Sequence, residues 1–211
     1  KDVTEFCDIH LGKTVIKTKD TPGFIGNRIG VFWIERAAVE AIKSNLTIEE
    51  ADSIIMNVFK VPKTGVFGLI DVIGLDLIPS VVNSLLQNIP KNDYYHSVHE
   101  APEIFQYMLE KKMIGRKGQG GFYKLINTNN TKTKHSLDLK TRKYSLSSKP
   151  KIIIKNLQIF LDKENKFSQY AWNVLSDVLY YVLCITDEIA LDINSIDEAM
   201  KNGFGWQLGP F

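Results

Sequence analysis

The sequence predicts an all-α protein of two helical lobes, and three observations carry that prediction. Helix-start signals precede long runs of helical periodicity, the chain resembles itself at a shift of 145 residues, and a polar, basic segment separates the two halves.

Asp20-Thr21-Pro22 opens the first long run: it offers a capping oxygen and a proline where the missing N–H costs nothing, so a helix is expected from Pro22 to Ser44. Thr47-Ile48-Glu49-Glu50 holds a hydroxyl and, three residues on, a carboxylate that satisfy each other's orphan N–H groups. A second helix should therefore run from Thr47 to Phe59, stopped by Val61-Pro62. Val66 to Ile73, Asp76 to Leu86 and Pro102 to Met113 repeat apolar residues at helical spacing, with Gly74, Pro90 and Gly115 as punctuation.

Between Lys124 and Lys155 nine basic residues face the single acid Asp138, among many Asn, Thr and Ser. This reads as an irregular linker, with a short alternating piece from His135 to Tyr144 suited to a strand or hairpin. Beyond it a long helix is expected from Phe167 to Leu191, then Asn194 as a cap and a shorter helix from Ser195 to Asn202. Sliding the chain by 145 residues lays Thr47-Ile48-Glu49-Glu50 on Asp192-Ile193-Asn194-Ser195 and Phe59 on Phe204. The expected organisation is a first repeat over 1–123, a basic linker over 124–155 and a second, incomplete repeat over 156–211. The early stop of the second repeat and the start without Met lead us to expect a fragment.

A chain of 211 residues that is 44% hydrophobic and 24% charged has material for one sizeable core or two small ones. No apolar run reaches the roughly 20 residues that a bilayer-spanning helix needs, so no membrane span is expected. Two cysteines, Cys7 and Cys184, and an N-terminus unlike a signal peptide lead us to expect a reducing, cytoplasmic setting. A net charge of +2 does not argue for a polyanionic partner. No stacking platform or recognition-helix pattern accompanies the basic segment, and no nucleic-acid partner is expected.

On a wheel begun at Pro22, Gly23, Gly26, Asn27, Gly30, Ile34 and Ala37 share one face, because each residue turns by about 100°. Each helical glycine costs roughly 0.5–1 kcal/mol relative to alanine, so close approach of a backbone or a ligand must offset them. Asn27 is the strongly polar side chain of that face, and a buried amide requires a partner. Tight helix packing and a ligand groove are both consistent with the wheel.

The string Lys19-Asp20-Thr21-Pro22-Gly23-Phe24-Ile25-Gly26-Asn27-Arg28, preceded by Leu11-Gly12-Lys13, resembles the signature of the 3-hydroxyacyl-CoA dehydrogenase C-terminal domain. Gly115-Arg116-Lys117-Gly118-Gln119-Gly120-Gly121-Phe122-Tyr123 is similar to the segment that closes that family's first C-terminal repeat. Ser195 to Met200 with Gly203 to Phe211 resembles the second repeat of long bacterial members, and Leu137 to Thr141 their linker.

The resemblance implies helical lobes of the 6-phosphogluconate dehydrogenase C-terminal-like type, and the substrate-binding and dimerising part of an NAD-dependent enzyme of fatty acid β-oxidation. That enzyme converts 3-hydroxyacyl-CoA and NAD to 3-ketoacyl-CoA and NADH. NAD would be bound by an N-terminal Rossmann domain carrying a catalytic His–Glu pair; neither is identifiable here, so no cofactor is expected in this chain. The glycines from Gly115 to Gly121 have the wrong spacing for a dinucleotide turn and would follow a helix, so they read as a packing turn.

Asn27 carries over as the catalytic-site residue, beside the family's histidine and the reacting end of an acyl-CoA substrate, with Gly23, Gly26 and Gly30 as substrate-binding positions. Further partners are a homodimer mate and an enoyl-CoA hydratase domain. His10, His96, His99 and His135 match no catalytic position and are expected at the surface. The shift places Trp172 opposite Asn27, so the second repeat reads as a prop, with Trp172, Tyr180 and Tyr181 in a core or interface. Two other readings stand beside this one: the helical domain of another hydroxyacid dehydrogenase, and a non-catalytic helical interaction module.

Overall fold

A computed structural model describes residues 2–128 and 131–211. Asn129-Asn130, in the segment expected to be a linker, and the first residue lie outside the described residues. The chain opens with α1 (Asp2–Glu5), which passes into a π-helical turn over Phe6–His10. Six helices follow: α2 (Gly26–Lys43), α3 (Ile48–Val58), α4 (Phe67–Ile73), α5 (Leu77–Asn88), α6 (Tyr94–Val98) and α7 (Glu103–Glu110). Strands β1 (Tyr123–Thr128), β2 (Thr131–Leu137) and β3 (Tyr144–Leu146) pair antiparallel in the order β1-β2-β3. The chain ends with α8 (Leu157–Leu161), α9 (Lys166–Ile189) and α10 (Ile193–Phe204).

The capping box expected at Thr47 is present: the Glu50 N–H donates to Thr47 Oγ1 at 3.2 Å, and the Thr47 N–H donates to the Glu50 carboxylate at 3.0 Å. α10 begins at Ile193, 145 positions after Ile48, and its cap Asp192 accepts the Ser195 N–H at 2.8 Å. The cap is thus Asp192 and not Asn194: Asp192 has the extended backbone a cap requires, while Asn194 already sits in the first turn. Three short helices, α1, α6 and α8, escaped the sequence reading because four or five residues are too few to show periodicity.

The hairpin expected near 135–144 belongs to a larger sheet, in which Tyr123 pairs with Ser136 and Leu137 with Tyr144. Its inner edge is anchored by Leu137, whose N–H donates to the Phe122 carbonyl at 2.8 Å and whose side chain joins the core. Gly115 and Gly120 bridge to close the turn before β1, and Asp71 fastens that turn by accepting the N–H groups of Phe122 and Tyr123 at 2.8 and 2.7 Å. The glycines permit this approach, since a Cβ on Gly115 would strike the Asp71 backbone.

One hydrophobic core takes residues from both halves of the chain, because the long helices α2 and α9 lie against each other. Nearly every residue of α2 from Arg28 to Ala41 is buried, including Glu35, Arg36 and Glu40. A helix enclosed on all sides must pair its charges inside. Arg36 accordingly reaches Asp177 of α9 at 2.9 Å and Glu40 at 2.8 Å, and Asn173 of α9 donates to Glu40 at 3.0 Å. At the far end Trp33, Phe59, Phe204 and Trp206 meet, with the two indoles edge to face at 5.3 Å. Among the described residues no single helix is long and apolar enough to cross a membrane.

Candidate functional site

The sequence singled out the start of the first long helix, and the structure builds it differently from an unbroken helix. Residues 22–25 form a turn, and α2 starts at Gly26, not at Pro22. No side chain of Asp20 or Thr21 caps it; instead the Phe24 N–H donates to the Thr21 carbonyl at 2.9 Å and the Arg28 N–H to the Gly23 carbonyl at 3.3 Å. The turn is closed by two consecutive left-handed residues, Gly23 at φ 78° and Phe24 at φ 49°. Gly23 has no room for a side chain, since a Cβ there would meet Leu85 of α5 at 2.7 Å.

Arg28 fixes this turn from beneath. Its guanidinium is fully buried and donates to Tyr181 Oη at 2.6 Å, to Glu188 at 3.3 Å and to Asp93. Asp93 also accepts the Tyr95 N–H at 2.8 Å, which starts α6. Burial acts to lower the Arg28 pKa, but Tyr181, Asp93 and Glu188 outweigh it and hold the guanidinium above its ordinary value. Two partners, Tyr181 and Glu188, belong to α9. The approach segment is tied to the same helix, with Thr18 Oγ1 and the Lys19 N–H donating to the Ile189 carbonyl at 2.7 and 3.1 Å. α9 thus holds both sides of the turn.

Asn27 is exposed on the first turn of α2, and its side chain makes no hydrogen bond among the described residues. This corrects the expectation of a buried amide that needs a partner. The wheel gave the correct face, but the first turn projects past the elements that cover the rest of the helix. The glycines of that face are covered. Phe204 of α10 lies on Gly30, where any Cβ would overlap its ring, and it stands 3.8 Å from a Cβ on Gly26. Gly30 therefore serves helix packing and not direct substrate contact, because the ring fills the space a ligand would need. Of the four positions, Asn27 alone is exposed; Gly23 and Gly26 are half-buried beside it.

Two features escaped the sequence reading. Nothing local to Arg28 announces its partners, which lie 65 to 160 positions away. His99, expected at the surface, is half-buried with Nδ1 2.9 Å from Glu35. The Glu35 carboxylate also accepts Tyr95 Oη–H at 2.8 Å and the Glu100 N–H at 3.0 Å, so it pins the 99–100 loop to α2. The pair borders an apolar cavity of about 240 Å³ between α2, α5 and α7, but the carboxylate already has three donors. Of the other named residues, Tyr181 stacks on Phe32 at 4.0 Å in the core, while Trp172 and Tyr180 are exposed on α9.

A Rossmann site holds a nicotinamide dinucleotide on a strand, a glycine turn and a helix in succession, and Gly115–Gly121 does not fit it, since it follows α7 and enters an antiparallel sheet.

Comparison with known proteins bears on the same region. Residues 23–125 match the C-terminal domain of 3-hydroxyacyl-CoA dehydrogenase. A putative fatty acid oxidation complex trifunctional enzyme of Rickettsia felis is 37% identical over 209 residues, which is 99% of this chain and 29% of the relative. A probable 3-hydroxyacyl-CoA dehydrogenase of Bacillus subtilis is 34% identical over 222 positions, covering 100% of this chain and 27% of its own length. The mitochondrial hydroxyacyl-coenzyme A dehydrogenase of Mus musculus is 30% identical over 124 residues, 59% of this chain and 38% of the relative. The chain thus spans less than a third of the two longer relatives.

Proposed function

We propose that the chain, whose residues 23–125 match the C-terminal domain of 3-hydroxyacyl-CoA dehydrogenase, belongs to that family and supplies the substrate-side wall of such an enzyme. The whole enzyme would oxidise 3-hydroxyacyl-CoA of fatty acid β-oxidation with NAD. Enzymes of this family are NAD-dependent in general; the proposed holder of NAD is a Rossmann domain outside this chain. The trifunctional relative supports a further proposal, that an enoyl-CoA hydratase domain belongs to the same polypeptide. The proposed organisation remains a first repeat over 1–123, a connecting segment over 124–155 and a second repeat over 156–211, in a cytoplasmic protein.

The observation that carries this reading is the exposed amide of Asn27 on a turn that Arg28 holds rigid. An amide displayed in this way can donate to one group and accept from another, and so can orient a substrate oxygen or an imidazole at the reacting end. We propose Asn27 as the residue of this chain that meets the acyl-CoA. Gly23 and Gly26 lie half-buried beside it, while Gly30 belongs to the packing against α10.

The test is Asn27→Ala in the full-length enzyme, followed by NADH oxidation with acetoacetyl-CoA. The expected result is a fall in kcat of about 100- to 1000-fold, with the KM for NADH unchanged, as for loss of one positioning hydrogen bond in a closed site. Unchanged kcat would remove Asn27 from the site. Equal turnover of 6-phosphogluconate would assign the fold to the related hydroxyacid enzymes instead.

A further inference from the structure

We propose that the cleft between α4, the Gly115–Gly120 turn and strands β1 and β2 is a second ligand site on this chain, which takes the phosphorylated head of a coenzyme A molecule. The identity of the ligand rests on the function proposed above; the existence of an anion site does not. The cleft has a volume of about 820 Å³, within the roughly 300–1,000 Å³ usual for small-molecule sites.

Four cations from four places in the chain line it: Lys63 before α4, Arg116 in the glycine turn, Lys124 on β1 and Lys134 on β2. None of the four forms an ion pair with a carboxylate among the described residues. Elsewhere on the surface Arg142, Lys166 and Lys201 do find carboxylates. Four like charges around one concavity repel each other and focus a positive potential into it, which an anion relieves. The carboxylate that lines the cleft, Asp71, is turned to the backbone, where both its oxygens accept N–H groups.

The ammonium groups are also placed in advance. Lys134 Nζ lies 3.5 Å from the centre of the Tyr123 ring and Lys124 Nζ 5.7 Å from that of Tyr144. A ring face attracts an ammonium without neutralising it, so the charge stays at the cleft and remains available. Exposed Leu125 adds an apolar rim. A 3′-phosphate and a diphosphate on an adenosine match this combination of several cations and one apolar edge. A fatty acyl chain does not.

The experiment is calorimetric titration of the 211-residue chain, without NAD, using CoA, 3′,5′-ADP, pyrophosphate, pantetheine and a short single-stranded oligonucleotide. CoA and 3′,5′-ADP should bind, and pantetheine, which lacks the phosphates, should not. Lys124→Glu with Lys134→Glu should weaken CoA binding by about tenfold or more, as for loss of two charged contacts. Lys149→Glu with Lys151→Glu, in the same basic segment but outside the cleft, should change it less than about twofold. If the first variant fails to fold by circular dichroism, Lys63→Glu with Arg116→Glu takes its place. CoA affinity unchanged by the cleft variants, or lowered equally by the control, overturns the proposal. Pyrophosphate binding as tightly as CoA overturns the nucleotide assignment, and tighter binding of the oligonucleotide through the same lysines overturns it in favour of nucleic acid. None of these outcomes depends on Asn27 or on hydride transfer, so the failure of either reading is visible by itself.

Discussion

Phe204 lies on Gly30 so closely that a methyl group at position 30 would overlap its ring. The two residues belong to α2 and α10, so this contact is one place where the first and last long stretches of the chain are joined. Gly30→Ala should destabilise the chain by about 1–3 kcal/mol through overpacking. Thermal or urea unfolding would measure it, and Phe204→Leu in the same chain should recover part of the loss. Full stability of Gly30→Ala would show that the helices have room to part.

Arg28 and Asp93 form a buried ion pair at the base of the turn. Asp93→Ala leaves the guanidinium buried without its main anion and should cost about 3–5 kcal/mol. Arg28→Met with Asp93→Leu removes both charges and should be more stable than Asp93→Ala alone. Equal losses in the single and double variants would mean that Tyr181 and Glu188 are sufficient partners for Arg28.

Asp52 accepts the N–H groups of Val66, Phe67 and Gly68 and the hydroxyl of Tyr123, yet burial pushes its carboxyl up to about 7. Burial likewise pushes Asp71 up to about 6. The folded chain keeps these protons at pH values where an unfolded aspartate, ordinarily at 3.8, has lost them. Stability should be complete below the lower value and fall as pH rises towards 7, by at most about 1.4 kcal/mol per pH unit per group. Melting curves between about pH 4.5 and about pH 7.5 should show this fall in the parent and a shallower one in Asp52→Asn. A parent that gains stability over the same range relative to Asp52→Asn would mean that the Asp52 carboxylate is charged in the fold.

Asn27→Ala should leave the melting temperature of the isolated chain within the range of ordinary surface changes, about 0.5 kcal/mol, because the amide is exposed and unbonded. Trp172→Phe, 145 positions further on, should be equally mild and should also leave turnover of the full enzyme intact. A large stability loss for Asn27→Ala would make Asn27 a structural residue. Equal losses of turnover in the two variants would refute the asymmetry between the repeats.

The sequence by itself determined the helical class, the capping box at Thr47 and the helical face that Asn27 shares with Gly26 and Gly30, because each rests on neighbours in the chain or on a spacing that can be counted. It also pointed to glycines that had to face something. Only the tertiary structure decided what they face, that Phe204 covers Gly30, that Arg28 is caged by Asp93 and Tyr181, and that Glu35 holds His99. These partners lie 64 to 174 positions apart and are brought together by the packing of α2 against α6, α9 and α10, which no local pattern encodes. Asn27 was expected to be buried for the same reason in reverse: a wheel assigns a face, but how far a neighbouring helix reaches along that face is fixed by where the two helices cross.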